Sequence, residues 1–225
     1  MGARAAFRQA VPRPLDERCP RRRSRIRRAP REESWLASQT CMVNAGARET
    51  RYGEQTAEAC VRRADGRSEE DMATFKRLAM QYHEWLNEDL CFQSFDQEMA
   101  SLPRPYSEPD GFILLAELGG EVAGCVALKP LPAAIGTGEA RVCEMKRLFV
   151  PGKFRGRGIG KLLVKSCIDL ARGLGLYDLM VLDTLERLSA ANAVYAQAGF
   201  TTRGPYYGNP LAGVLYYELA IADAS

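Results

Sequence analysis

The chain has one histidine, His83, in 225 residues, and its seven cysteines (Cys19, Cys41, Cys60, Cys91, Cys125, Cys143 and Cys167) form no C-x-x-C pair. A zinc centre draws several such ligands from close spacing, so no metal site is expected. An odd, scattered set also argues against a disulfide framework and for a reducing compartment, which makes the cytoplasm the expected location. No apolar run approaches the roughly 18 residues of a spanning helix, and the N-terminal stretch lacks the apolar core of a secretory signal. A Cys-His nucleophile pattern is missing as well. His83, next to Tyr82 on a helix-like stretch, reads as a solvated residue or else as wall of an acceptor pocket.

What is present is charge, and it is unevenly divided. Residues 1 to 56 hold 13 Arg against 6 Asp or Glu, a balance of +7, so the remaining residues carry −4 of the total +3. The first 56 residues are rich in Arg and Pro, poor in periodic apolar positions, and include the run Arg21 to Arg28. Such a segment buries too little apolar surface to offset its chain entropy and is expected to be disordered. Organellar targeting through its arginines, a translation start at Met42 and nucleic-acid contact are the other readings of this tail. The mildly acidic remainder, 57 to 225, gives little support to nucleic-acid binding, which demands a basic face.

From Ala59 the pattern is that of an α/β domain. Cys60 to Ala64 reads as a strand. A helix opens at Ser68, with Glu69, Glu70 and Asp71 in its first turn, and carries an apolar stripe from Phe75 through Leu90. A short helix is expected over Phe95 to Ser101. Phe112 to Glu117 and Val122 to Leu128, around Gly119-Gly120, read as a hairpin. A loop from Leu131 to Gly138 leads to a strand over Arg141 to Val150 and a helix over Ile159 to Leu174. Then follow a strand Tyr177 to Asp183, a helix Leu185 to Ala198, and strands Phe200 to Arg203 and Val214 to Ala220. Strand, helix, strand around residues 155 to 161 is a crossover unit, so the fourth and fifth strands should be parallel in an otherwise antiparallel sheet.

The loop between that fourth strand and its helix is Arg155-Gly156-Arg157-Gly158-Ile159-Gly160-Lys161. A helix N-terminus presents unpaired N–H groups and partial positive charge, so a glycine-lined turn with three cations there suits a phosphate. A Walker A loop is excluded, because Arg155 stands where its first glycine belongs and Leu162 where its Ser or Thr belongs. The dinucleotide fingerprint G-x-G-x-x-G ends on Lys161 or on Leu163 and fails too. What remains is R-x-x-G-x-G after a strand ending in Leu148-Phe149-Val150-Pro151, with Ala191-x-x-x-Tyr195-x-x-x-Gly199-Phe200 further on.

In these two motifs and in its order of elements from about residue 57 to 222 the chain resembles the GNAT family of acetyl-CoA-dependent N-acetyltransferases. The resemblance implies a mixed sheet whose parallel strands four and five splay, flanked by helices. It implies acetyl-CoA as the donor, with no metal, its pantetheine arm against the backbone of Leu148, Phe149 and Val150. Its pyrophosphate would lie on Arg155, Gly156, Arg157, Gly158, Ile159, Gly160 and Lys161. It assigns Tyr195 as the acid that protonates the departing thiolate, against a reading of Tyr195 as core filler. It assigns Glu144 as the general base, against a strand carboxylate paired with Lys146 or Arg141.

Asp183 competes with Glu144 and otherwise binds the substrate ammonium, while Tyr206 and Tyr207 wall the acceptor site or form a rigid turn. Many relatives carry Asn where this chain has Leu188, and that role does not pass to Asn192. The implied reaction is direct attack of a primary amine on the thioester in a ternary complex. A CoA-binding regulatory module without transfer activity is the alternative. The expected partner is a small-molecule or peptide amine, not a membrane, and the resemblance leaves a homodimer open.

Overall fold

The computed structural model describes residues 58–88, 94–132 and 140–221. The expected tail over 1 to 56, Leu90 and most of the loop expected over 131 to 138 lie outside them. The elements run β1 (Ala59–Arg63), α1 (Glu69–Leu86), α2 (Phe95–Ala100), β2 (Phe112–Leu118), β3 (Glu121–Pro130) and β4 (Val142–Phe149). A 3-10 turn at Gly152–Phe154 precedes α3 (Ile159–Leu174), followed by β5 (Leu179–Leu185), α4 (Ser189–Gln197), β6 (Thr201–Arg203) and β7 (Val214–Ala220). The strands make one sheet in the order β1-β2-β3-β4-β5-β7-β6. Only β4 and β5 pair in parallel, as the crossover unit requires.

The sheet is covered on both faces, which is why β2 reads as an unbroken apolar run rather than an alternating one. Phe112, Leu114 and Ala116 join a core with Leu163, Cys167 and Ala171 of α3. The intervening Ile113 and Leu115 join a second core with Phe75, Leu78 and Leu86 of α1. Each such fully buried large apolar side chain contributes roughly 1.5–3 kcal/mol relative to exposure.

Ser68 starts α1 as its sequence suggested, accepting a hydrogen bond at Oγ from the Asp71 N–H at 3.2 Å. The Asp71 carboxylate does not bond back to the Ser68 N–H. Asp71 instead takes the Arg62 guanidinium at 2.8 and 2.9 Å and the Asp65 N–H at 2.8 Å. The bonds from Arg62 hold its carboxyl below the usual carboxylate range and tie the helix start to β1. The far end of α1 comes earlier than the apolar stripe predicts. Asn87 adopts a left-handed φ of 53° and donates its N–H to the His83 carbonyl, closing the helix at Leu86.

Gly124 lets β3 approach the end of β4. A methyl added there would stand 2.8 Å from the Phe149 carbonyl oxygen and 3.0 Å from Leu163 Cδ1. Because the first obstacle is backbone, Gly124→Ala is expected to cost about 1–3 kcal/mol through overpacking. Urea midpoints of the two proteins measure it, and equal midpoints would mean that the strand yields without strain.

Candidate functional site

β4 and β5 pair at only three positions, Val142–Leu179, Cys143–Met180 and Glu144–Val181, and then part. Beyond that point β4 runs to Phe149 and β5 to Leu185, and residues of both line one cavity of about 650 Å³. The parting has a local cause. Arg147 takes a left-handed φ of 57°, and the β3–β4 register slips between Cys125 and Ala127. On the β4 side Lys146 and Phe149 face Ala127 and Cys125, so β4 holds one residue more than its partner. Such a bulge bends the strand and leaves main-chain groups beyond it without a ladder partner toward β5.

One half of the cavity is apolar and ends in a cationic glycine turn. Leu148, Phe149 and Val150 line it along β4, and Arg155, Gly156, Gly158, Ile159, Gly160 and Lys161 close its end. Gly156 and Gly158 hold φ of 75° and 78°, a region closed to most L side chains, and a Cβ on either would meet nothing within 4 Å. Gly158 caps α3 without any side-chain hydrogen bond. The helix start therefore keeps its N–H groups for a ligand, and the space above the turn fits an anion that makes close backbone contact. These residues fit the pyrophosphate and pantetheine of CoA.

Arg157 is the exception among the predicted contacts, since it is exposed and off the cavity wall. Arg155 is held in a way the sequence does not announce. Its Nε donates to the Val150 carbonyl at 2.9 Å, and its guanidinium carbon sits 4.2 Å from the centre of the Trp85 ring.

Tyr195 lines the same cavity from α4, wedged between Phe200 and Tyr217 with ring centroids at 5.9 and 6.0 Å. Its hydroxyl has no protein hydrogen-bond partner among the described residues. Burial pushes the phenol well above its ordinary pKa, so it stays protonated throughout the neutral range.

The other half is polar. Asp183 lines the cavity, accepting from Lys146 Nζ at 3.0 Å, from the Tyr207 hydroxyl at 2.9 Å and from Asn209 Nδ2 at 3.3 Å. Burial opposes its ionisation, but the Lys146 charge and the hydrogen bonds from Lys146 and Tyr207 outweigh burial and hold the carboxyl below its usual range. Burial likewise works against the Lys146 charge, and Glu144 and Asp183 together more than restore it. Arg147, with its side chain 3% exposed, donates to Glu98 at 2.6 and 2.8 Å, and the Tyr106 hydroxyl donates to the same carboxylate at 2.6 Å.

Glu144 is 3% exposed and lies behind this wall rather than on it. It accepts from the Tyr206 hydroxyl at 2.8 Å and pairs with Lys129 at 3.1 Å and Lys146 at 3.4 Å. The expected general base is thus enclosed by three donors, and Asp183 is the carboxylate that faces the cavity. Tyr206 and Tyr207 act through their hydroxyls on those two acids, so they support the wall without lining it.

His83 is half-buried on α1, partly solvated as one expectation had it. It packs 4.9 Å from the Phe95 ring with Nδ1 buried, and it is not on the cavity wall. Asn192 spends its amide on the carbonyls of Leu185 and Glu186, whereas Leu188 lines the cavity.

Tyr82, Trp85, Lys146, Arg147, Arg187 and Asn209 also line the wall, and none was predicted as a site residue. For Tyr82 and Trp85 a signal existed: aromatics three apart on the helix facing the glycine loop. For the others the signal is spatial. Among the described residues no group of three metal-ligating side chains comes together.

The sequence profile of the Acetyltransferase (GNAT) family matches residues 72–200. An uncharacterised N-acetyltransferase of Schizosaccharomyces pombe is 41% identical over 154 residues, which is 68% of this chain and 90% of that protein. An uncharacterised N-acetyltransferase of Dictyostelium discoideum is 34% identical, across 60% of this chain and 87% of its own. Among solved structures, yncA of Salmonella typhimurium with its cofactor acetyl-CoA superposes with a TM-score of 0.53 at 19% identity, covering 74% of this chain and 96% of that one. That likeness is one of fold, and the sequence matches carry the assignment. With the splayed strands and glycine turn where the family motif requires them, the chain belongs to the GNAT acetyltransferase family.

Proposed function

We propose that the protein transfers an acetyl group from acetyl-CoA to a primary amine by direct attack within a ternary complex. One observation carries the reading: the cavity opened by the parting of β4 and β5 is lined by the glycine turn, by Asp183 and by Tyr195 together. Acetyl-CoA would lay its pantetheine along Leu148 to Val150, with its pyrophosphate on Arg155, Gly156, Gly158, Ile159, Gly160 and Lys161. Main-chain N–H groups past the bulge would then polarise the thioester carbonyl, because a fixed donor in a dry cleft is worth most where charge develops.

The amine nitrogen attacks the thioester carbon, the C–S bond breaks, Tyr195 gives its proton to the leaving sulfur, and the proton that the nitrogen sheds as the amide forms returns through water to Tyr195. The ammonium must first lose a proton. Asp183 faces the acceptor but is held ionised, which makes it a poor proton acceptor and a good anchor. In this reading Asp183 orients the ammonium, the proton leaves through water, and Glu144 keeps Lys146 and Tyr206 in place behind it.

Release of free CoA by the full chain, followed with a thiol reagent across amino acids, peptides, polyamines and aminoglycosides, tests the reading. Amine-dependent release above the hydrolytic background is expected. Tight acetyl-CoA binding without release on any amine would leave a CoA-binding module in its place.

A further inference from the structure

Although residues 57 to 225 carry a net −4, several cations stand beside Asp183 on the cavity wall. The wall presents Lys146, Arg147 and Arg187 against a single acid, Asp183. The carboxylates that pair with them, Glu98, Glu144 and Glu88, stand outside the wall. With the Lys146 and Arg147 side chains 10% and 3% exposed, the cavity sees these charges through little water. Each of these cations is paired with a carboxylate at 2.6–3.4 Å, so what remains for a ligand is the donor capacity that those pairs leave unused.

Arg187 differs from the other two. It lies in the turn between β5 and α4, and Nη2 alone is spent, on the Leu86 carbonyl at 2.6 Å and on Glu88 at 2.8 Å. Nε and Nη1 have no protein partner among the described residues. A guanidinium anchored by one nitrogen with donors to spare on the cavity wall is a carboxylate receptor. Leu86, Leu188 and Leu211 line the cavity as well.

We propose that the acceptor is an α-amino acid with an apolar side chain, its carboxylate bound by Arg187 and its amino group held at Asp183. This deepens the acetyl-transfer reading and rests on it. The polar end of the cavity then matches both charges of a zwitterion, and the leucines match its side chain.

The probes are leucine, leucinamide and 3-methylbutylamine, which share a side chain and differ in the carboxylate. Rates of CoA release by the full chain are normalised to the free-base fraction of each amine. Leucine is expected to exceed the other two in kcat/KM by at least tenfold. Arg187→Met should lower kcat/KM for leucine by at least tenfold more than it changes kcat/KM for the amide or the amine. Arg187→Gln, which still donates to the Leu86 carbonyl, should behave the same way, and Arg187→Lys should recover part of the loss. Equal rates for leucine and its amide in the unmodified protein, or an equal loss on all three probes in the variants, overturns the proposal. Turnover of polyamines or peptides without leucine overturns it too and leaves acetyl transfer standing. No release with any amine removes acetyl transfer itself.

Discussion

Replacing Tyr195 with phenylalanine is expected to lower kcat by about a hundredfold or more while acetyl-CoA affinity stays within about twofold. The hydroxyl is the only atom removed, and it has no protein partner among the described residues, so no internal hydrogen bond is lost with it. The ring contacts with Phe200 and Tyr217 are kept, because phenylalanine has the same ring. A stability change therefore does not confound the measurement.

The chemical argument is one of protonation state. Burial holds the Tyr195 phenol well above its ordinary pKa, so a proton is always available to a sulfur that becomes thiolate only as the C–S bond breaks. The same burial predicts that no alkaline fall of kcat from Tyr195 enters the accessible pH range. Single-turnover rates separate chemistry from CoA release, and a variant with the parent's rate would falsify the assignment of Tyr195 as the acid.

The donor half of the site was legible because its signals are local. Three glycines within five residues, cations around them and an apolar strand before them fix a turn that only one arrangement of neighbours suits. Tyr195 was legible for the same reason, through its spacing to Gly199 and Phe200. The acceptor half was not, since its contacts join residues far apart in the chain. Glu144 meets the Tyr206 hydroxyl 62 residues away, and Arg147 meets Glu98 across 49. No spacing rule reports that Glu144 will be enclosed while Asp183, on the neighbouring strand, faces the cavity.

Two element boundaries slipped for physical reasons of the same kind. The strand expected from Tyr177 begins at Leu179, where pairing with Val142 of the distant β4 starts, and the Asp178 carboxylate before it accepts from the Arg141 main-chain N–H at 2.8 Å and from its guanidinium. The helix expected from Leu185 begins at Ser189 because Leu185 still pairs with Val214 of β7. The bulge at Arg147 had no sequence sign at all: a left-handed φ there would ordinarily call for glycine, asparagine or aspartate.

That bulge is held by burial and charge, and removing its counter-ion is expected to cost much of the fold's stability. A non-glycine residue in the left-handed region costs roughly 1–2 kcal/mol. It persists only where its surroundings over-determine it. For Arg147 they do: the guanidinium makes two bonds to Glu98 and stacks 4.8 Å from the Phe95 ring centre, and Tyr106 completes the carboxylate. Glu98→Ala leaves a buried cation without this partner, for which a loss of about 3–5 kcal/mol is expected. Replacing both partners, Glu98→Leu with Arg147→Met, should lose less than Glu98→Ala alone, because neither charge is then stranded.

The pH dependence has a definite sign. Burial raises the Glu98 carboxyl, but the Arg147 bonds outweigh it and hold the folded pKa below the ordinary value of about 4.3. The pair's contribution is therefore complete above that value and is lost as pH falls through the folded pKa. Urea unfolding from neutral pH to about pH 3 should show a shallower acid decline in Glu98→Gln than in the parent, and parallel curves would place the stabilising charge elsewhere. Because Arg147 and Leu148 both line the cavity, relaxation of the bulge should lower kcat in the same variant, which joins a left-handed backbone position to the cavity at the parting of β4 and β5.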